Sequence, residues 1–236
     1  MGSREQWILD LFCGAGGGTK GYQQAGFRVR GVDIKPQPRY LGEQFFQADA
    51  LEYLAGLNKS GEIQEFAAIH ASPPCQAFTK YQNAGNRRNL PSKYPDLVEP
   101  VRRLLIQSGL PYVIENVEGS PLSTYFVLCG SMFGLDVRRH RPFESSLFLF
   151  KPSACDHSAW PPNRFPGGRS RERGGARVLC RGTVEVGRWN IPLETQQRAM
   201  GIDWMTLEEL SQSIPPAYTE FIGGQLLTAI EMSLND

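Results

Sequence analysis

The sequence predicts an α/β fold whose centre is a parallel, doubly wound sheet. Strand-like apolar runs alternate with helix-like segments through the first 150 residues, and this alternation is typical of a parallel sheet covered by helices. Hydrophobic residues are 41% and charged residues 21% of the 236-residue chain, which excludes disorder, a coiled coil and a collagen-like chain. At about 150 residues per domain, this length allows one large domain with a small addition.

Five short apolar segments are the predicted strands, and a glycine, proline, acid or amide lies at or just past the end of each. Their bounds are residues 6–12, 27–33, 44–47, 66–71 and 112–116. Ligands of such sheets bind at the carboxyl ends of the strands. The residues at these ends are therefore the first candidates for a functional site.

Three segments are predicted helices, because their apolar residues recur at helical spacing and a glycine or proline marks one end. They are residues 19–25 before Gly26, residues 97–108 before Gly109, and residues 217–234 after Pro215-Pro216. Residues 151–190 break the pattern with four prolines and six glycines, which predicts a small loop-rich lobe. Apolar periodicity returns from residue 191 onward.

The net charge of +1 hides an uneven distribution. Residues 138–190 hold eleven arginines and lysines against four acidic residues, a charge of +7, and the remainder of the chain sums to −6. A basic segment on a near-neutral protein indicates an anionic partner, with nucleic acid the leading candidate. A solvated arginine-rich loop is the alternative interpretation of the same charges.

The sequence predicts neither a membrane span nor a secretory signal. No stretch reaches 18 uncharged apolar residues, and the N-terminal apolar run is short and interrupted by Asp10. The five cysteines are irregularly spaced, which argues against a disulfide framework and favours a reducing cytoplasm. Cys155, His157 and Cys180 are too scattered to favour zinc, so we expect no metal.

A glycine-rich turn follows the first predicted strand and precedes the first helix. It spans residues 12–18, with glycine at 14, 16, 17 and 18, too crowded for the dinucleotide fingerprint. Glycine allows close backbone approach to a ligand, and Asp33 follows at the spacing of a ribose-binding carboxylate. The pattern indicates a cofactor that contains adenosine, and a tight turn without a ligand is the alternative.

Three further strand ends carry reactive groups. Pro73-Pro74 stiffens the chain before Cys75, and a presented thiol can act as a nucleophile when its pKa is lowered. Glu115 ends a buried strand and can bind or protonate a ring nitrogen. Alternation along a strand would place Arg139 and Arg141 on one face, where they could hold a carboxylate, base edge or phosphate.

Together these segments resemble the cytosine-C5 DNA methyltransferase family, in family order over residues 8–150 and 190–234. The similar segments are the glycine turn, Ser72-Pro73-Pro74-Cys75-Gln76, Tyr94-Pro95-Asp96-Leu97, Glu115-Asn116-Val117, residues 129–134, Arg139-His140-Arg141 and Ile214-Pro215-Pro216. Val137 and Ser211-Gln212 depart from the family's usual Gln and Gly-Asn, and a 40-residue target-reading segment is small for the family.

The resemblance implies a Rossmann-like class I methyltransferase sheet with a small target-recognition lobe. Residues 1–150 would be the catalytic and cofactor-binding domain, 151–190 the target-recognition region, and 191–236 a segment completing the catalytic domain. The cofactor would be S-adenosyl-L-methionine, with Asp33 on its ribose and Asp49 at its adenine edge. The implied cofactor-binding residues are Phe12, Cys13, Gly14, Gly16, Gly17, Asp33, Ile34, Asp49 and Ala50.

The implied reaction is methyl transfer to carbon 5 of a cytosine flipped out of double-stranded DNA, after Cys75 adds to carbon 6. The implied catalytic residues are Cys75, Glu115, Arg139 and Arg141. The implied DNA-binding residues are Gln76, Arg87, Arg88, Arg169, Arg171 and Arg173. Residues 76–94 would form a mobile loop that closes over the base, with an ordinary surface loop as the alternative.

Three alternatives stay open at this point: RNA as substrate, a catalytically silent homologue, and a donor that carries a group other than methyl. The RNA-modifying branch of the family has a Cys-Phe-Thr signature that this sequence lacks. We expect a monomer in the cytoplasm of a bacterium or of a phage-infected host. A small lobe offers few base contacts, so the target should be short, about two to four base pairs.

Overall fold

The computed structural model describes residues 5–78, 95–158 and 183–234. Its centre is one seven-stranded sheet in the order β3-β2-β1-β4-β5-β7-β6. The strands are β1 (Trp7–Leu11), β2 (Arg28–Asp33), β3 (Gln44–Gln47), β4 (Ala68–Ala71), β5 (Tyr112–Glu115), β6 (Tyr125–Leu128) and β7 (Arg141–Ser145). The five predicted strands thus correspond to β1 to β5.

Six helices accompany the sheet in the described residues. They are α1 (Gly17–Ala25), α2 (Ala50–Ser60), α3 (Val98–Ser108), α4 (Leu193–Met200), α5 (Leu207–Gln212) and α6 (Pro216–Leu234). Gly26 and Gly109 end α1 and α3 in the left-handed conformation, as their positions in the sequence predict. No described helix has the length and apolarity that would let it cross a membrane.

The sheet is mixed, so the prediction of a parallel sheet is right only for β1 to β5. In that part every neighbouring pair is parallel, whereas β7 runs antiparallel to both β5 and β6. A parallel pair needs a long crossover, usually a helix. Between β6 and β7 the chain forms only a 3₁₀ turn, Gly130–Phe133, and therefore returns antiparallel.

The two faces of the sheet bury separate sets of side chains, because successive residues of a strand point to opposite faces. Leu9 and Leu11 pack with apolar residues of α2 and α3 on one face. Ile8 packs with Tyr22 of α1 and Tyr218 of α6 on the other. Helices α1 and α6 thus cover one face of the sheet, and α2 and α3 cover the other.

The C-terminal segment is joined tightly to the first helix. The Thr219 hydroxyl of α6 donates to the Gly18 carbonyl at 2.8 Å. At Gly21 a Cβ atom would lie 2.0 Å from the Pro216 carbonyl oxygen, so glycine permits this approach. Residues 151–158 and 183–190, the described parts of the predicted lobe, contain no helix or strand. The proposed domain boundaries at 150 and 190 stay a prediction.

Candidate active site

The glycine turn after β1 is tied to the end of β2. Phe12 has a φ of 60°, in the left-handed region that favours glycine, and Gly14 has a φ of 51°. The Gly14 amide donates to Asp33 Oδ2 at 3.0 Å, and the Lys35 amide donates to Asp33 Oδ1 at 2.9 Å. The predicted ribose-binding carboxylate therefore lies directly beside the turn.

The turn opens into a cavity that the C-terminal segment helps to close. Phe12, Gly14 and Gly17 line it from the turn, and Ser213 and Ile214 line it from the residues before α6. Trp204 Nε1 also donates to the Ala15 carbonyl at 2.9 Å. Glu115 lines the same cavity, so the glycine turn and the acid at the end of β5 face one space.

Asp10 is a buried acid at the wall of this cavity. Only 2% of the residue is exposed, and its carboxylate accepts a hydrogen bond from Thr19 Oγ1 at 2.5 Å. Burial raises the pKa of Asp10 to about 7; the Thr19 hydrogen bond opposes this shift and the charge of Asp33 adds to it. The sequence signal was an acid inside an apolar strand, which was interpreted only as an interruption of it.

Cys75 lies on the loop that follows β4, where the double proline places it. Asn116 Nδ2, just past the end of β5, donates to the Pro73 carbonyl at 2.9 Å and holds this loop. The Phe78 amide donates to the Cys75 carbonyl at 2.9 Å, and the Cys75 residue is half-buried. The amide at Asn116 thus has a positioning contact that sequence reasoning did not predict.

Glu115 is a buried acid paired with an arginine from the neighbouring strand. Arg141 Nε lies 3.1 Å from Glu115 Oε1, and Glu115 is 8% exposed. Burial raises the pKa of Glu115, while Arg141, Arg139 and a hydrogen bond from Ser72 lower it. The effect of burial is the largest, so the pKa of Glu115 lies above the usual value of a glutamate.

A chain of hydrogen-bonded polar side chains extends from Glu115 into the protein interior. Ser72 hydrogen-bonds Glu115 and lies 2.8 Å from His70 Nε2, and His70 Nδ1 lies 2.9 Å from the Tyr22 hydroxyl. Burial lowers the pKa of His70 to about 3, so this ring is neutral. A histidine inside the apolar strand β4 was the available sequence signal, and it was missed.

The Cys75 thiol is electrostatically coupled to the same pair. Burial raises the pKa of Cys75, and the charge of Glu115 raises it further, whereas Arg141 and Arg139 lower it. The thiol, the acid and the arginine therefore form one interacting group at the carboxyl ends of β4 and β5.

The comparisons with known proteins agree with this geometry. Residues 7–120 match the family model described as C-5 cytosine-specific DNA methylase. The chain is thus an enzyme of the DNA (cytosine-5-)-methyltransferase class.

Solved structures confirm the predicted fold class. A protein described as a DNA modification methyltransferase encoded within a prophage (E. coli) has a TM-score of 0.57 at 17% identity, covering 98% of this chain and 100% of that one. The S. pombe Dnmt2 methyltransferase has a TM-score of 0.57 at 14% identity, covering 96% and 99%. A comparison with curated proteins finds no match.

Arg139 and Arg141 do not lie on one strand of this methylase, so the prediction that strand alternation places them on one face was wrong. Strand β7 begins at Arg141, and Arg139 precedes it. Arg139 is half-buried, and its Nη2 donates to the Ser211 carbonyl at 2.6 Å. Its Nε is buried without a hydrogen-bond partner in the described residues. Burial lowers the pKa of Arg139 to about 9.

The remaining predicted residues of the methylase lie just past β2, at the start of α2, beside Cys75, or outside the described residues. Ile34 is 65% exposed just past Asp33, and Ala50 is buried in the first turn of α2. Asp49 caps α2, since its Oδ1 accepts from the Leu51 and Glu52 amides at 2.9 and 3.0 Å. Gln76 is exposed beside Cys75. The predicted DNA contacts outside the described residues are Arg87, Arg88, Arg169, Arg171 and Arg173.

A wide basic cleft lies next to the Glu115–Arg141 pair. Its volume is about 610 Å³, and it is lined by Arg138, Arg139, Arg141 and Arg188 together with residues 184–187. A cleft with one dominant sign of charge attracts an anionic ligand. The geometry therefore offers a cavity at the glycine turn, lined by Glu115, and a wider cationic cleft, lined by Arg139 and Arg141.

Proposed function

We propose that the enzyme transfers a methyl group from S-adenosyl-L-methionine to carbon 5 of a flipped-out cytosine in double-stranded DNA, through a covalent bond between Cys75 Sγ and carbon 6. One observation carries this proposal: the glycine turn and Glu115 line the same cavity, and Glu115 is paired with Arg141 at 3.1 Å. That arrangement brings a cofactor site and a base-binding acid to one space.

The residues around the glycine turn fit an adenosyl group. A Cβ at Gly14 would meet no atom within 4 Å, so the space beside the turn is open. Ile34 offers an exposed apolar side chain next to Asp33, suited to the flat face of adenine. When bound, S-adenosyl-L-methionine supplies an electrophilic methyl group. Asp33 would bind its ribose, and the glycine turn would hold its methionine end.

The chain's own residues would then activate the base. The Cys75 thiolate adds to carbon 6 and makes carbon 5 nucleophilic, while Glu115 binds the ring nitrogen and the amino group of cytosine. Arg141 orients Glu115 and contacts the base carbonyl. After methylation, loss of the carbon 5 proton re-forms the ring double bond and expels the Cys75 thiolate.

The electrostatics of the free site explain why Cys75 would be activated only with a base bound. The negative charge of Glu115 raises the pKa of the Cys75 thiol. When a proton taken up from solvent is shared between Glu115 and the cytosine ring, that repulsion falls, while Arg141 and Arg139 still favour the thiolate. Binding of cytosine would therefore lower the pKa of the nucleophile.

The first experiment is tritiated methyl transfer to unmodified duplex DNA, with Cys75→Ala as the control. We expect incorporation by the native protein and none by the variant. Equal incorporation by both proteins, or incorporation into tRNA alone, would contradict the proposal. DNA that contains 5-fluorocytosine tests the adduct, because fluorine at carbon 5 cannot leave as a cation. It should remain covalently attached to the native protein, whereas ordinary duplex DNA is released.

A second experiment tests the coupling between the acid and the thiol. The rate at which iodoacetamide alkylates Cys75 is measured against pH in the native protein and in Glu115→Gln. Removing the Glu115 charge should move the alkylation profile to lower pH. An unmoved profile would show that Glu115 does not act on the thiol, and the activation argument would be wrong.

We also propose that the enzyme works as a monomer in the cytoplasm and reads its target with residues 151–190. Light scattering during gel filtration measures the mass of the particle, and a dimer would contradict the first point. Methylation profiling of exposed DNA gives the target, and a consensus of six or more positions would contradict a short site.

A further inference from the structure

Four side chains of the types that bind metals meet at one point beside the basic cleft. The Sγ atoms of Cys129 and Cys155 and one ring nitrogen each of His140 and His157 all lie within 4.8 Å of one another. The chain has three histidines and five cysteines, so this cluster takes two of each. Their spacing in the sequence is C-x10-H-x14-C-x-H.

We propose that Cys129, His140, Cys155 and His157 bind one zinc ion in a structural site. Two thiolates and two imidazoles are a common ligand set for tetrahedral structural zinc, with all four positions filled by protein. Neither the family match nor the proposed reaction requires this site. It also reverses the expectation from the sequence, which considered Cys155 and His157 with Cys180 and expected no metal.

The distances between the ligand atoms are close to those that a tetrahedral ion needs, and small shifts of the side chains would reach them. Bond lengths of about 2.3 Å to sulfur and about 2.0–2.1 Å to nitrogen give edges of about 3.4–3.8 Å between ligand atoms. Cys129 Sγ lies 3.2 Å from His157 Nε2, and His140 Nε2 lies 3.2 Å from Cys155 Sγ. The Cys155 Sγ–His157 Nε2 distance of 2.6 Å is shorter, and we expect it to lengthen on metal binding.

The neighbours of the cluster are those that orient zinc ligands elsewhere. Histidine ligands usually direct their second nitrogen at a carboxylate, carbonyl or water. His140 Nδ1 lies 3.9 Å from Glu118 Oε2 while its Nε2 faces the cluster. The Ser131 hydroxyl lies 3.4 Å from Cys129 Sγ and 3.5 Å from Cys155 Sγ, where it can donate to either thiolate.

The fold brings the first two ligands together by strand register. Leu128 of β6 pairs with Arg141 of β7, and this antiparallel register places Cys129 opposite His140 just beyond the paired residues. Cys155 and His157 then come from the segment that follows β7. A zinc ion here would fasten the start of residues 151–190 to the end of the hairpin that carries Arg141.

The test measures metal in the full-length protein purified under reducing conditions. Mass spectrometry of the metal content should find about one zinc per chain, falling to less than about a tenth in Cys155→Ser and in His157→Asn. Cys155 is exposed, so the serine variant should fold. Cys75→Ser is the matched control, since it removes a thiol outside the cluster, and it should keep its zinc.

Cobalt and chelation provide independent measurements. Cobalt added to the metal-free native protein should produce the intense visible absorption of tetrahedral thiolate coordination, and the Cys155→Ser variant should not. Removing zinc with a chelator should lower the melting temperature of the native protein but not that of Cys155→Ser. Native protein that binds neither metal, unchanged zinc content in both ligand variants, or a Cys129–Cys155 disulfide in the metal-free protein would overturn the proposal.

Discussion

Asp10 should make the stability of this protein fall as the pH rises toward neutrality. Its pKa is raised from 3.8 to about 7, mainly because burial penalises the charged carboxylate. A group whose pKa is higher in the folded state stabilises the fold below its unfolded pKa. That contribution is lost as the pH rises through the folded value, here between about pH 4 and about pH 7.

The shift of about three pKa units corresponds to about 4 kcal/mol between the two protonation states. Integrating the linkage from about pH 5 to about pH 8 gives a loss of about 3 kcal/mol from this one group. Asp10→Asn has no such titration. The variant should therefore gain about 3 kcal/mol relative to the native protein over that interval, whatever its difference at pH 5.

The assay is urea unfolding of both proteins across this pH range at constant ionic strength. His70 titrates in the opposite sense, because its lowered pKa destabilises the fold only as the pH falls below about 6.5. It is present in both proteins, so their difference isolates Asp10. Asp203→Asn changes an exposed carboxyl and is the matched control. If Asp10→Asn and the native protein lose stability in parallel, the burial argument for Asp10 is wrong.

Two further predictions concern packing and buried charge, both measured by thermal or urea unfolding. Gly21→Ala should cost about 1–3 kcal/mol, because its Cβ would overlap the backbone of α6. Gly56→Ala faces open space within α2 and should gain up to about 1 kcal/mol, and equal effects of the two changes would contradict the packing argument. Arg102→Ala should cost about 3–5 kcal/mol, because it removes both 2.7 Å contacts between Arg102 and the buried Glu144 carboxylate and leaves that charge with the hydrogen bond from the Ser123 amide. Arg103→Ala, on the exposed side of the same helix, should cost less than about 1 kcal/mol, and a similar loss in both arginine variants would refute the distinction.

The parallel half of the fold could be predicted because its signals are local. Each of β1 to β5 is a short apolar run with a glycine, proline, acid or amide at or just past its end, and the structure places each strand within the predicted bounds. Helix α2 was missed although its start signal was present. Asp49 was interpreted only as a ligand-binding acid, which stays a prediction, and the helix cap that its Oδ1 forms with two backbone amides was not considered.

The antiparallel half was harder to predict because its local signals disagree with its tertiary contacts. Pro142 cannot donate to a sheet, so proline argues against a strand between two others. The Pro142 carbonyl nevertheless accepts from the Asn116 amide at 3.2 Å, and Phe143 beside it is fully buried. The sequence analysis did not predict the cluster proposed to bind zinc, because its residues come from three separate segments. The β6–β7 register brings Cys129 and His140 together.

The register of β7 against its other neighbour, β5, explains how Arg141 reaches Glu115. Glu115 is directly opposite Phe143 in the β5–β7 pair, and Arg141 is two residues along, on the same face as Phe143. Such diagonal neighbours have Cα atoms about 7–8 Å apart, a gap that only a long side chain crosses. The Arg141 guanidinium crosses it to 3.1 Å. A one-residue slip of β7 would turn Arg141 to the opposite face of the sheet. The contact on which the proposed chemistry depends therefore requires the β5–β7 register, and the same strand β7 pairs on its other side with β6, where Leu128 opposite Arg141 places Cys129 opposite His140.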